Sequence, residues 1–214
     1  MIQQPWGQMQ SDTIADAASV IMLRGAGADA QVLMGQRGAG AVFMPRKFVF
    51  PGGRVDAGDF HKDLPDLLAP TCRAALSAHV AADPGPLAHA LTAAALRELH
   101  EETGLHLARH PPAALRFVFR AITPIGAPRR FDARFFLAHS DDFAGDMHGF
   151  SAASGELALL QWLTLPQARA LDLPFITRVI LAELHSALAQ GGAFAPRGVP
   201  FFDNALEVPR FLRL

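Results

Sequence analysis

Glu98, Glu101 and Glu102 are three carboxylate residues placed within five positions of one another. The alanine-rich run over residues 87–96 precedes them and favours a helix by intrinsic propensity. On a helix, positions i, i+3 and i+4 fall within one narrow arc, so the three carboxylates would share one patch. Carboxylates held that close raise one another's pKa unless a cation lies between them, and clustered oxygen atoms suit Mg²⁺ or Mn²⁺ rather than Zn²⁺.

The same residues also fit the solvated end of an ordinary surface helix. Thr103 and Gly104 follow directly, and a glycine at this place is a common left-handed helix cap. Negative charge in the last turns of a helix opposes the helix dipole, however, so a compensating group is expected nearby. Residue types and spacing by themselves leave the metal site and the solvated face about equally favoured.

The rest of the chain is predicted to consist mainly of strands and turns, and these elements must position any group that contacts the glutamates. Residues 17–23 and 30–37 read as two strands joined by a glycine-rich turn, and residues 47–50 read as a short buried strand. The run Pro51-Gly52-Gly53 then turns the backbone sharply, since glycine tolerates the dihedral angles and the close approach that such a turn needs. Further strands are predicted over residues 115–122, 131–137 and 156–163, and a final helix over residues 174–188.

Residues 60–86 separate the glycine turn from the glutamate helix. We predict two helical pieces in this segment, over residues 64–68 and 71–82, and a helix-breaking run at residues 83–86. Several of its residues are apolar and need a packing partner, so an ordered insertion is expected.

Length and composition limit the classes of protein to which the chain can belong. With 214 residues, half of them hydrophobic, residues 1–214 are most simply one domain. The 19 basic and 20 acidic residues nearly cancel, which disfavours general binding to nucleic acid or to an anionic membrane. Cys72 is the single cysteine, and no run approaches membrane-spanning length. We therefore expect a cytoplasmic protein.

The segment from Arg97 to Leu105 resembles the second half of the Nudix box, in which Arg-Glu and Glu-Glu flank a large aliphatic residue. The segment from Phe50 to Asp56 resembles the strand and Gly-Gly turn that open the box, but Asp59 stands where the family usually has Glu. The box is also interrupted by 30 additional residues. An interrupted box of this kind is similar to that of the peroxisomal coenzyme A diphosphatase branch and its bacterial relatives.

The resemblance implies a Nudix-type α/β/α sandwich with a mixed sheet and a helical insertion inside the box. It also implies that Glu98, Glu101, Glu102 and the carbonyl of Gly53 bind Mg²⁺ or Mn²⁺. Arg97 would orient the glutamates through charge-assisted contacts. Glu98 and Glu156 are alternatives for the group that takes a proton from the attacking water, and a plain helix or strand cap is an equally favoured interpretation of Glu156.

Four arginines are candidates for substrate binding: Arg46, Arg54, Arg130 and Arg134. The first two flank the glycine turn, and the other two lie on or beside a predicted strand together with Arg129. Guanidinium groups can bind phosphate bidentately. A solvated basic strand edge is the simpler alternative for the strand arginines.

The implied activity is metal-dependent hydrolysis of a diphosphate linked to a nucleoside. Coenzyme A and its acyl derivatives are the first substrates to consider, and ADP-ribose or a related nucleoside diphosphate derivative is the alternative. A catalytically idle Nudix domain that senses a nucleotide is a second class, although such a domain is expected to lack box carboxylates. The family resemblance also leads us to expect a homodimer.

Overall fold

The computed structural model describes residues 13–80, 84–111, 113–191 and 198–214. Its helices are α1 (Pro70–Ser77), α2 (Pro84–Thr103), α3 (Leu165–Arg169) and α4 (Phe175–Ala189). Its strands are β1 (Ile14–Arg24), β2 (Gln31–Arg37), β3 (Phe48–Val49), β4 (Gly52–Arg54), β5 (His106–Leu107), β6 (Arg116–Ile122), β7 (Arg130–His139), β8 (Phe143–Ala144), β9 (Leu157–Thr164), β10 (Pro200–Asp203) and β11 (Arg210–Arg213).

Strand β1 is central to the mixed main sheet. It pairs in parallel with β7 over ten residues, and its other edge pairs antiparallel first with β4 and then with β2. Strands β6, β10 and β11 continue the sheet beyond β7, while β9 pairs with β2. Because β1 alternates its side chains between two buried faces, most of its residues are hydrophobic.

Helices cover both faces of this sheet. The apolar residues of α1 and α2 share one buried cluster with Val20 and Met22 of β1, whereas α3 and α4 share another cluster with Ile21 and Leu23. The alternation of neighbouring β1 residues between the two clusters places the helices on opposite faces. The predicted α/β/α sandwich with a mixed sheet is therefore confirmed.

Most strands predicted from hydrophobic runs are present with shifted ends, but the predictions for the insertion need correction. Residues 64–68 form no helix, because Leu68 pairs instead with Leu115 and the Leu67 carbonyl accepts a hydrogen bond from the Leu115 amide. Residues 84–86 belong to the run that was predicted to break a helix, but they form the first turn of α2. Proline is tolerated there because amides of the first turn have no partner within the helix.

The predicted helix over residues 71–82 begins one residue early, at Pro70, and ends at Ser77. Residues 81–83 lie outside the described part of the chain. The C-terminal strands β10 and β11 have no counterpart among the predicted elements. No helix in the described ranges is long and apolar enough to cross a membrane.

The insertion is part of the hydrophobic core. Leu67, Leu68, Cys72 and Leu76 are buried in the same cluster as Leu91 of α2. A second anchor is polar, since the guanidinium of Arg120 on β6 donates hydrogen bonds to the carbonyls of residues 78 and 79 at the end of α1. A cation at a helix C-terminus is favourable because it compensates the helix dipole. The insertion is thus held to both α2 and the sheet.

We expect Leu67→Ala to lower the free energy of unfolding by about 2 to 4 kcal/mol, because Leu67 is only 1% exposed and its removal leaves a cavity. Leu159→Ala is the matched control, since Leu159 is 63% exposed. Urea denaturation of both variants measures the effect. Equal stability of the two variants would show that the insertion is a detached excursion.

Candidate functional site

The Glu102 carboxylate is buried between helix α2 and the glycine turn. Its side chain lies on the stripe of α2 that carries the buried residues Leu91 and Ala95, so the helix directs it inward. Glu102 is 1% exposed, and its Oε2 atom accepts a hydrogen bond of 2.7 Å from the Gly52 amide. The contact joins α2 to the first residue of β4.

Both glycines of the turn leave space that other groups occupy. A Cβ atom at Gly53 would lie 2.3 Å from Oε1 of Glu98, so the Glu98 carboxylate would have to move from its present position. At Gly52, φ is +154° and a Cβ atom would lie 2.4 Å from the Ala18 carbonyl oxygen on β1. The two glycines therefore allow α2 and β1 to close on the turn from opposite sides.

Arg97 holds the acidic end of α2 together. Its Nη1 atom lies 2.8 Å from Oε1 of Glu98 and 3.2 Å from Oε2 of Glu101. Its Nη2 atom donates a 3.0 Å hydrogen bond to the Arg54 carbonyl at the end of β4. The predicted role of Arg97 in orienting the glutamates agrees with these contacts.

Asp59 binds Arg97 bidentately although it is one methylene shorter than the Glu usual at this position. The Nε and Nη2 atoms of Arg97 each lie 3.0 Å from one carboxylate oxygen of Asp59. Asp59 reaches the arginine from a short 3-10 helix, residues 57–61, where its side chain also accepts a 2.8 Å hydrogen bond from the Asp56 amide. Burial alone would raise the pKa of Asp59, but the contacts with Arg97 and that amide bring the pKa below its usual value.

The two inward glutamates are unfavourable as anions. Burial raises the pKa of Glu102 to about 8, and the charges of Glu98 and Glu156 add to the rise. Burial also raises the pKa of Glu98, to which Glu101 and Glu156 contribute by repulsion. Glu156 precedes β9 and is largely exposed, but its charge acts on the buried Glu102 and the half-buried Glu98. The structure thus brings Glu156 to the carboxylates of α2.

The chemical type of the α2 side chains fits a hard divalent cation. Their donor atoms are carboxylate oxygens, and a cation would favour the charged form of Glu102, whose pKa is raised chiefly by burial and further by the neighbouring negative charges. Within the described residues, however, no three acidic, histidine or cysteine side chains are already arranged as a metal cluster. Glu101 is 52% exposed and turns toward Arg97. Cation binding would therefore require side-chain rotation at Glu101 and exchange of its Arg97 contact.

Arg46 and Arg54 remain accessible beside the glycine turn. Arg46 is exposed on the loop between β2 and β3, while Arg54 lies at the end of β4 and pairs with Asp56 at 3.1 Å. Since an exposed ion pair of this kind contributes little free energy, Arg54 can exchange Asp56 for another anion at low cost.

Arg130 and Arg134 do not form the solvated basic edge considered above, and their internal partners argue against phosphate binding. Arg130 donates hydrogen bonds to the carbonyls of Thr123, Asn204 and Ala205, which tie β7 to the loop after β10. Arg134 is 1% exposed and pairs with carboxylates of β1 and β7. Their guanidinium groups are used to hold the sheet together.

Sequence reasoning did not select Arg37, whose Nη2 atom lies 3.8 Å from Oε1 of Glu156. It also missed the buried charge network in which Arg120 and Arg134 share Asp132. A strand ending in a basic residue was the only signal for Arg37. Pairing across separate strands gives no pattern that spacing can reveal.

Known structures share this architecture. A Nudix hydrolase from Alicyclobacillus acidocaldarius superimposes with a TM-score of 0.58 at 24% sequence identity, covering 81% of this chain and 92% of that one. A mutator MutT protein from Bacillus halodurans gives a TM-score of 0.50 at 17% identity, covering 92% and 97%. The chain has the Nudix fold. No protein-family model and no curated protein matches its sequence.

In this Nudix fold the raised pKa of Glu102 predicts how stability depends on pH without metal. The folded protein holds the proton up to about pH 8, whereas the unfolded chain releases it near the ordinary value of 4.5. This contribution to stability is therefore present below pH 4.5 and is lost as the pH rises toward 8. We expect Glu102→Gln to remove that loss, because the amide stays neutral.

Melting temperatures in EDTA at pH 5 and pH 8.5 measure this effect. The gain of Glu102→Gln over the wild-type protein should be larger at pH 8.5, whereas the exposed Glu207→Gln control should show no such trend. A gain that does not change with pH would contradict the raised pKa.

Arg130→Ala should lower the free energy of unfolding by about 1 to 3 kcal/mol, because three carbonyls lose a charged hydrogen-bond donor. Arg129→Ala is the neighbouring control, since Arg129 is exposed. Denaturation curves of the two variants measure the difference in their free energies of unfolding. If Arg130→Ala is as stable as the control, the internal role of Arg130 is wrong.

Proposed function

We propose that the chain is a Mg²⁺- or Mn²⁺-dependent hydrolase of nucleoside diphosphate-linked small molecules. The reaction class is substitution at phosphorus by water, which cleaves the anhydride bond. The proposal extends the Nudix fold to an activity, and the arrangement of the site supports that step.

One observation carries the proposal: the carboxylates of Glu98 and Glu102 lie against the Gly-Gly turn, where Glu98 fills the space beside Gly53 and Glu102 accepts a hydrogen bond from the Gly52 amide. Burying two carboxylates side by side is unfavourable, as the raised pKa of Glu102 indicates. A solvated helix end would have turned these side chains outward. Their inward position is explained if the folded protein has a cationic ligand at this place.

Glu98, Glu101, Glu102 and the carbonyl of Gly53 would hold the cation. When bound, such a cation neutralises charge on a diphosphate and makes water more acidic. Arg97 keeps Glu98 and Glu101 at the end of α2 and is itself fixed by Asp59. Glu98 and Glu156 are the two carboxylates that could accept the proton from the attacking water.

We propose coenzyme A and acyl-coenzyme A as the first substrates to test, because the interrupted box resembles that branch. The expected products are 3′,5′-ADP and 4′-phosphopantetheine. Arg46 and Arg54 are the proposed phosphate contacts of the glycine turn. Arg130 and Arg134 are not among the proposed contacts, since both have internal partners. ADP-ribose and related nucleoside diphosphate derivatives form the alternative.

A nucleotide sensor is the competing function class. The presence of all three α2 glutamates favours the enzyme. A panel of coenzyme A, acyl-coenzyme A, ADP-ribose and a dinucleoside polyphosphate, each with Mg²⁺ or Mn²⁺, separates the two classes. Turnover of one member with EDTA-sensitive product release supports the enzyme. Tight binding of one member without turnover of any would support the sensor.

Glu101→Gln is expected to reduce turnover of the best substrate on the order of a hundredfold or more, because a metal ligand worth several kcal/mol to the transition state is lost. The fold should be unaffected, since the Glu101 side chain is half exposed. Glu183→Gln on α4, across the sheet, is the matched control. Wild-type turnover by Glu101→Gln at saturating Mg²⁺ would overturn the metal assignment.

A further inference from the structure

The connection between β8 and β9 covers the C-terminal end of helix α2 with a loop of residues 145–155. The last four carbonyls of a helix have no partner within the helix, and the Ser154 amide donates a 2.8 Å hydrogen bond to one of them, the carbonyl of Glu101. A Cβ atom at Gly104 would lie only 2.7 Å from Cβ of Ala152. The 145–155 loop therefore packs directly on the end of α2.

Glu156 directly follows this loop, and the same serine positions it. The Oγ atom of Ser154 accepts a 3.3 Å hydrogen bond from the Glu156 amide. Since two residues of extended chain span at most about 7 Å, the backbone of Glu156 lies close to the last turn of α2. The raised pKa values of Glu98 and Glu102, to which the charge of Glu156 contributes after burial, agree with this placement. The loop thus joins the α2 carboxylates to Glu156.

Asp146 organises the loop from its exposed side. Its Oδ1 atom accepts hydrogen bonds from the amides of His148 (3.1 Å) and Gly149 (2.8 Å), and its Oδ2 atom accepts one of 3.3 Å from the Ser151 amide. The amides of Gly149 and His148 are the main cause of the lowered pKa of Asp146, about 2, so the carboxylate stays charged at any pH of a practical assay. One exposed side chain thus fixes the first half of the loop.

Phe150 connects this first half to the residues that contact α2. Its side chain is 7% exposed and lies in the same hydrophobic cluster as Leu99 of α2. Its backbone is in the left-handed region, with φ of +50°, which a bulky side chain rarely adopts. Its amide donates a 3.2 Å hydrogen bond to the Asp146 carbonyl, and its carbonyl accepts one of 3.0 Å from the Ala153 amide. The turn at Asp146 is therefore linked through Phe150 to residues 153 and 154.

We propose that Asp146 is a positioning residue, which holds Glu156 beside the carboxylates of α2 through the 145–155 loop and the contacts of Ser154. The inference rests on the proposed function, in which Glu156 is one of two carboxylates that could accept the proton from water. Asp146 itself acts only within the loop, where its carboxylate binds three amides. Without that carboxylate the three amides lose their acceptor, and Glu156 occupies a wider range of positions relative to α2.

Turnover of the best substrate of the panel with Mg²⁺ tests this role. Asp146→Ala should lower kcat about tenfold and leave KM within about twofold, because a displaced proton acceptor slows the chemical step and leaves substrate binding intact. Asp146→Asn should lose less, because its amide oxygen can still accept the hydrogen bonds of His148 and Gly149. Asp141→Ala is the matched control, since Asp141 is an exposed aspartate shortly before β8.

The Glu156→Gln background separates positioning from general stability. If Asp146 acts through Glu156, Asp146→Ala should lower kcat by less than about twofold in this background, since the residue that it positions is already inactive. The fall in melting temperature should be the same in both backgrounds. Equal loss of kcat in both backgrounds overturns the inference. Full turnover by Glu156→Gln also overturns it, but leaves the proposed function intact with Glu98 as the proton acceptor.

Hydrogen–deuterium exchange of the protein in EDTA provides a test that needs no turnover. Asp146→Ala should speed amide exchange in residues 98–104 as well as in residues 146–156, because the Ser154 amide no longer stays bound to the Glu101 carbonyl. Unchanged exchange in residues 98–104 overturns the link between the loop and α2. If no panel member is hydrolysed, the proposed function fails, and the exchange result alone decides whether Asp146 fixes the loop to α2.

Discussion

The close approach of helix α2 to the glycine turn is the constraint on which the site depends. Gly52 supplies the amide that binds Glu102, and Gly53 leaves the space that the Glu98 carboxylate occupies. A Cβ atom at Gly53 would meet the Glu98 carboxylate and force that side chain to move. The position of the acidic patch therefore depends on the close packing of α2 on the turn, and its chemistry follows from the burial that this packing imposes.

Charge in this region is balanced in two ways. Arg97 binds Asp59 bidentately and uses its remaining donors on Glu98, Glu101 and the Arg54 carbonyl, so it is well suited to holding the helix end in place. Arg37 and Glu156 form a loose pair across the same site, with donors left over. A tight pair provides structure, whereas a loose pair can change partners at little cost. The tight pair therefore supports the end of α2.

The insertion is integrated with the fold that surrounds the site. It follows the 3-10 helix that carries Asp59, packs its leucines against α2, and is held by Arg120 through the carbonyls that follow α1. Arg120 in turn shares Asp132 with Arg134. The insertion is therefore compatible with a fixed arrangement of the glycine turn and the α2 glutamates, because it is anchored to separate elements of the fold.

The sequence by itself determined the helix that carries Glu98, Glu101 and Glu102, the glycine turn, and most strands of the sheet, because periodicity and local propensity are properties of neighbouring residues. Only the tertiary structure decided that Glu102 is buried, that Asp59 reaches Arg97 across 38 positions, and that Arg130 serves the fold. It also decided that Arg37 faces Glu156. Each of these contacts joins residues that are distant along the chain, so spacing cannot encode it, and burial depends on which surfaces the sheet and helices bring together.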